Sequence, residues 1–263
     1  MQTGDMIKTE TKNMGAEKVK PGIELTARIE PFDSFWEAPK DFEKGFDRFH
    51  RFYRHNYSGY LPRNRDAKIL VISCGYGYFV RLLKTDGYSD VLGIDSDPAK
   101  VGVAVEKGLN CRTGSAFEHL EDNRETYDSI IAEQEINHLT KEEIIRFLML
   151  CRKNLRKDGT LLVHSLNGAN PITGSEALAQ NYDHYNTFTE YSLRQVLEYA
   201  GFQNVRVIPL NLYVFYNNPL NYIAMLVHWL NTLLFRFNFI LYGKSNRIFT
   251  KKIGAISTKM PGS

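Results

Sequence analysis

Cysteine is scarce in this chain of 263 residues: Cys74, Cys111 and Cys151 share neither the spacing of a metal cluster nor that of a disulfide framework. They read as reduced, small apolar residues of a cytoplasmic protein, with no metal implied. Charge of one sign is also missing. The formal net charge is +3, and the basic residues Lys244, Arg247, Lys251, Lys252 and Lys259 are dispersed rather than blocked, so no nucleic-acid partner is indicated. Met1 to Gly22 lacks the apolar stretch of a signal peptide and reads as a disordered polar tail (1–22). No internal repeat or low-complexity tract is present.

Against these absences, the chain is 43% hydrophobic and 24% charged, a balance that lets it bury one sizeable core. The most informative stretch is Lys68-Ile-Leu-Val-Ile-Ser-Cys-Gly-Tyr-Gly-Tyr-Phe79, an apolar run that enters a glycine turn. A strand buried on both faces reads as such a run. Glycine just past its end lets backbone approach a ligand with no Cβ between. Asp95 closes the next apolar run, where a carboxylate clamps a ribose. The pattern predicts a nucleoside site. It does not by itself choose between dinucleotide and sulfonium cofactors, because Val80 stands where a third glycine would complete the dinucleotide fingerprint.

Short apolar runs then alternate with amphipathic stretches, as in parallel βαβ units. Strands are expected at 68–73, 91–95, 109–113, 127–133, 159–166 and 203–209, with a last one from Ile253 to Lys259. Helices are expected near 77–85, 98–107, 141–156 and 190–200. Thr140 and Glu143 form a capping box, and Gly201 ends the fourth of these helices. Upstream, Phe42, Phe46, Phe49 and Tyr53 recur at helical steps. The predicted fold is therefore α/β: a Rossmann-like, seven-stranded, mostly parallel sheet with helices on both faces. An N-terminal helical cap (23–66) precedes a core at 67–210, a helical insert at 211–252 interrupts it, and the last strand and C-terminus follow at 253–263.

The insert is unusual. From Val207 to Phe235 no residue is formally charged, a length sufficient to cross a bilayer. At 100° per residue, however, Asn218, Asn221, His228, Asn231, Thr232 and Arg236 gather on one side and Met225, Leu226, Leu230, Leu233 and Leu234 on the other. Three readings remain open: peripheral contact with a membrane through 218–240, a packing or homodimer surface, and a true span.

The order of elements and the sequences Ser73-Cys74-Gly75-Tyr76-Gly77, Gly93-Ile94-Asp95-Ser96-Asp97-Pro98, Gly114-Ser115-Ala116 and Ala132-Glu133-Gln134-Glu135-Ile136-Asn137-His138-Leu139 resemble the class I S-adenosylmethionine-dependent methyltransferases. The resemblance covers about residues 67–210 and implies S-adenosylmethionine as cofactor. By position, it places Gly75 and Gly77 against the methionine part, with Ser73 beside them. Asp95 would meet the ribose hydroxyls, with Ser96 following it, and Ser115 and Ala116 would meet the adenine edge. Glu133 and Gln134 would flank the sulfonium. Four departures stand out: Val71 and Ser115 replace acids, Ser73 replaces a glycine, and Asn137 replaces the glutamate before the histidine. His138 is one candidate base for a hydroxyl acceptor and His184 a second, with helix capping and a surface loop as their respective structural explanations. Asn167 and Asn170 read either as hydroxyl-recognising amides or as turn residues. A weaker resemblance to methyltransferases of bacterial surface-glycan assembly implies a sugar hydroxyl or phosphate, or its lipid-linked precursor, as acceptor, at the inner membrane face. A hydrophobic small molecule such as a quinone precursor is the alternative, and a noncatalytic cofactor-binding protein is a further one.

Overall fold

Isoleucine, leucine and valine fill the first strand because both of its faces are covered. In the computed structural model, which describes residues 41–133, 135–179, 184–212 and 218–259, β1 (Lys68–Ile72) buries Ile69 to Ile72 almost completely. It runs parallel to β2 (Asp90–Asp95) on one side and β4 (Tyr127–Ala132) on the other. With β3 (Cys111–Thr113), β5 (Leu155–Leu166), β6 (Gln203–Leu210) and β7 (Lys252–Thr258), the sheet order is β3-β2-β1-β4-β5-β7-β6, only β7 being antiparallel. The predicted seven-stranded Rossmann-like architecture is therefore the one observed. Every parallel strand ends at the same edge, which gathers the glycine turn, Asp95 and Glu133 there.

Helices cover both faces. On one, α1 (Phe42–Tyr57), α2 (Tyr78–Thr85) and α3 (Pro98–Glu106) bury Phe52, Tyr57, Phe79, Leu83 and Ala104 against the sheet. On the other, α4 (Ala116–Asp122), α5 (Lys141–Asn154) and α7 (Glu190–Tyr199) bury Leu120, Phe147, Leu148, Leu193 and Leu197. The Thr140–Glu143 capping box forms as expected, and Thr189 with Ser192 supplies another, with serine in place of the usual Glu or Gln. Gly201 closes α7 with φ +87°.

Some boundaries differ from expectation. Helix α5 stops at Asn154 rather than 156, and β5 starts at Leu155 rather than 159. Leu155 is fully buried opposite Tyr127, and its burial outweighs the helical propensity of the basic residues after it. The expected 109–113 strand shortens to Cys111–Thr113, because the Leu109 amide still donates to Ala104 at the end of α3. Helices α4 and α6 (Gly174–Ala179), only 7 and 6 residues long, are too short to show a periodic pattern. The 1–22 tail and residues 23–40 of the cap lie outside the described residues.

The insert forms one helix, α8 (Leu220–Leu241), of 22 residues, none of them buried. It is long and apolar enough to cross a membrane. Its polar side, with Asn221, His228, Asn231 and Thr232, is the half-buried one, together with Met225, Phe235 and Phe239. Phe235 and Phe239 pack edge-on against Phe249, with centroids 5.9 and 4.8 Å away. The leucine side faces out.

Candidate cofactor and acceptor site

The turn after β1 owes its shape to three left-handed residues, Ser73 (φ 57°), Gly75 (φ 51°) and Gly77 (φ 76°). Its two glycines do different work. A Cβ on Gly75 would meet nothing within 4 Å, so this residue borders open space. A Cβ on Gly77 would lie 2.8 Å from Leu109 and 3.1 Å from Ala104, so the absence of a side chain lets the start of α2 pack on α3 and the approach to β3. Ser73 holds the family's glycine position in the conformation that glycine favours, at an expected cost of about 1 kcal/mol.

Asp95 anchors this turn. One carboxylate oxygen accepts the Gly75 amide at 2.7 Å, and the other accepts the Asp97 amide at 2.9 Å. An ionised carboxylate offers about four lone-pair sites, enough to take two amides and still meet a ribose diol. The open flank of Gly75 and the fixed acid beside it fit an adenosyl group carrying a methionine tail. Ser96 follows as an exposed residue; Ser115 is half-buried just before α4, while Ala116 lies in the core at the first turn of that helix. Gln134 lies outside the described residues. A groove lined by Glu43, Arg81, Lys84, Thr85 and Lys107 sits at the far end of α2, away from Asp95.

Helix α1 is fastened over this edge by contacts that no local sequence pattern marks. Tyr53 donates to Glu133 at 2.7 Å and stacks on Phe79 at 4.3 Å with an interplanar angle of 6°. One helical turn later, Tyr57 hydrogen-bonds Nδ1 of His164 on β5, both side chains being buried. Burial first, and then the charge of Glu133, push both phenols well above their usual pKa, so both remain protonated. Burial, reinforced by Lys252, holds His164 well below the ordinary imidazole range, so it is neutral. Its Nε2 has no hydrogen-bond partner among the described residues. The i, i+4 tyrosines and a histidine inside Leu161-Leu162-Val163-His164 were the available signals.

The two candidate bases meet. His138 and His184, 46 positions apart, have ring centroids separated by 4.9 Å at 64°. Two asparagines bring them together. Asn137, fully buried, accepts from the Tyr185 and Leu166 backbone amides through its carbonyl and side-chain oxygens respectively, and its side chain donates to the Asn186 carbonyl; the Asn186 side-chain amide in turn donates to the Leu139 carbonyl. The residue that departs from the family's Glu-His pair thus joins the two loops. His184, buried, directs Nδ1 at the Ala177 carbonyl at 2.7 Å. A carbonyl only accepts, so Nδ1 carries a proton, and the neutral ring takes the tautomer whose lone pair is on Nε2.

Other candidates are committed elsewhere. Asn167 donates to the carbonyls of Ile248 and Thr250, and Asn170 to that of Phe249, so both amides bind the segment before β7 and the turn reading is the one the structure supports. Val71 is fully buried among apolar neighbours, so β1 offers no acid. All three cysteines are buried and none forms a disulfide, and the described residues contain no cluster of metal-ligating side chains. The adjacent Cys111 thiol, with burial, raises the pKa of Cys74, which keeps it a thiol.

A family profile described as a methyltransferase domain matches residues 46–207. Among curated proteins, the chain is similar to the mitochondrial ubiquinone biosynthesis O-methyltransferase of Bos taurus, 30% identical over 109 residues. The match takes in 38% of this chain and 29% of that protein, so the chain aligns with under a third of the relative's length. Among solved structures, a SAM-dependent methyltransferase from Archaeoglobus fulgidus superposes with a TM-score of 0.60 at 18% identity, over 83% of this chain and 98% of that one. A Haemonchus contortus phosphoethanolamine N-methyltransferase in complex with S-adenosyl-L-methionine gives 0.53 at 14%, over 88% and 60%.

Proposed function

Since the chain belongs to the class I S-adenosylmethionine-dependent methyltransferases, we propose that it methylates a hydroxyl oxygen, with the paired histidines as its proton-accepting apparatus. The juxtaposition of His138 and His184 carries this reading. When bound, S-adenosylmethionine supplies an electrophilic methyl group on a sulfonium. The chain's own residues have to align the acceptor and take its proton. His184, held by the Ala177 carbonyl in the tautomer that presents Nε2, is suited to accept it, and His138 packs edge-on to fix that ring. Asp95 would hold the ribose, Gly75 would leave room for the methionine tail, and Glu133, braced by Tyr53, would meet the cationic end in place of the acid missing from β1.

The acceptor favoured here is the phenolic hydroxyl of a hydrophobic ring such as a quinone precursor, in line with the name of the bovine relative. A sugar hydroxyl on a lipid-linked precursor is the second candidate, but the amides of Asn167 and Asn170, which could have served to recognise a hydroxyl, are engaged within the fold. Acceptor profiling with isotope-labelled cofactor separates the two: turnover of a prenylated catechol and none of a polyprenyl-linked saccharide is expected, and the reverse overturns the phenol assignment. His184→Ala should lower kcat by about 10²-fold or more while leaving affinity for S-adenosylhomocysteine unchanged. A loss of less than about threefold would remove the histidine pair from the chemistry.

A further inference from the structure

Helix α8 is inside out for a protein bathed in water. Its polar residues Asn221, His228, Asn231 and Thr232 are turned toward the protein, while Leu226 and Leu234 are 56% and 54% exposed and Trp229 is 55% exposed. A helix on a soluble surface hides its apolar stripe. This one displays it along its whole length.

Charge and topology identify what covers it. No acidic residue follows Glu198, whereas Arg206, Arg236, Lys244, Arg247, Lys251, Lys252 and Lys259 all do. We propose that α8 lies in the surface of an anionic lipid bilayer, leucine face down, with Lys244, Arg247 and Lys251 after it meeting the headgroups. A second copy of the chain is disfavoured, because the segment from Leu220 onward carries basic residues and no acid, and so offers its own copy no charge complementarity. Spanning is disfavoured as well. Leu210 and Lys252, which bracket the excursion, are register partners, and just beyond the helix Ser245 already accepts from Tyr191, and Glu190 accepts the Arg247 and Ile248 amides. Both ends of a rod about 33 Å long are thus tied to one body.

The placement bears on the site. Strand β6 ends, and β7 begins, level with the end of β5, at the edge where Asp95, Glu133 and His138 lie. The bilayer would therefore face the acceptor entrance. This inference concerns where the enzyme sits and holds for either acceptor, so it is tested without turnover.

The test is flotation of the full chain with vesicles of phosphatidylcholine containing about 30% phosphatidylglycerol, an anionic lipid of the kind that attracts basic segments, beside vesicles of phosphatidylcholine alone. Flotation on the anionic vesicles, weakened by salt and by removal of the anionic lipid, is expected. The pair Leu226→Glu and Leu234→Glu, both outward-facing, should keep the circular dichroism spectrum and S-adenosylhomocysteine affinity of the parent but reduce vesicle partitioning by about tenfold or more. The proposal is overturned if the parent stays at the bottom of the gradient, or if the folded pair variant floats as the parent does. A stable dimer in vesicle-free buffer that the same two substitutions dissociate would overturn it in favour of self-association.

Discussion

Ser73 shows what a single side chain costs at a site. Its φ of 57° belongs to the region where a Cβ crowds the following carbonyl, and the same turn uses glycine at its other two left-handed positions. Ser73→Gly should stabilise the fold by about 1 kcal/mol, read as a higher denaturation midpoint at unchanged slope. Asp95 makes the opposite case. Its carboxylate both positions the Gly75 amide and would receive the ribose, so Asp95→Ala should weaken S-adenosylhomocysteine binding by about 1 to 3 kcal/mol in calorimetry. Both residues were legible from sequence, because the strand, turn, strand-end spacing is local. Tyr53, Tyr57 and His164 were not. Tyr53 meets Glu133 across 80 positions and Tyr57 meets His164 across 107, and no periodicity reports on contacts at that separation.

Helix α1 acts as a strap across two adjacent strands, one tyrosine to the end of β4 and the next to β5. Tyr53→Phe keeps the stacking on Phe79 but removes a hydrogen bond to a charged partner, worth about 1.5 to 3 kcal/mol. Thermal or denaturant unfolding should register a loss of that size, and cofactor affinity should fall with it, since Glu133 then loses its brace. At this scale the sequence was a good guide wherever an element is long and periodic, as in α1, α5 and α7. It was a poor one where burial of a single residue sets the boundary. Leu155 turns the last turn of a helix into the first residue of a strand, and the composition of Arg156 and Lys157 alone says nothing of this. For α8, the periodicity marked out a polar and an apolar face, but which of the two turns outward depends on what surrounds the protein.

The pH dependence of stability belongs to the whole molecule, because it sums groups on several elements. Tyr53 and Tyr57 are raised by burial and Tyr127 is pushed up to about 12, whereas unfolded tyrosines ionise near 10. Their contribution is therefore complete below about pH 10 and is lost above it. His164 works from the acid side. Its folded pKa lies below the unfolded value of about 6.5, so stability is intact above that pH and declines as the unfolded chain takes up the proton, by at most about 1.4 kcal/mol per pH unit. Melting temperatures from pH 5 to 11 should trace a plateau with both shoulders, and His164→Gln should flatten the acid one. The register of the last strands has a different consequence. Because Leu210 and Lys252 stand opposite each other, everything between them is a loop as far as the sheet is concerned. The part that would choose the protein's address in the cell can thus be exchanged or trimmed while the part that does the chemistry keeps every one of its strands, so location and trade are free to evolve separately.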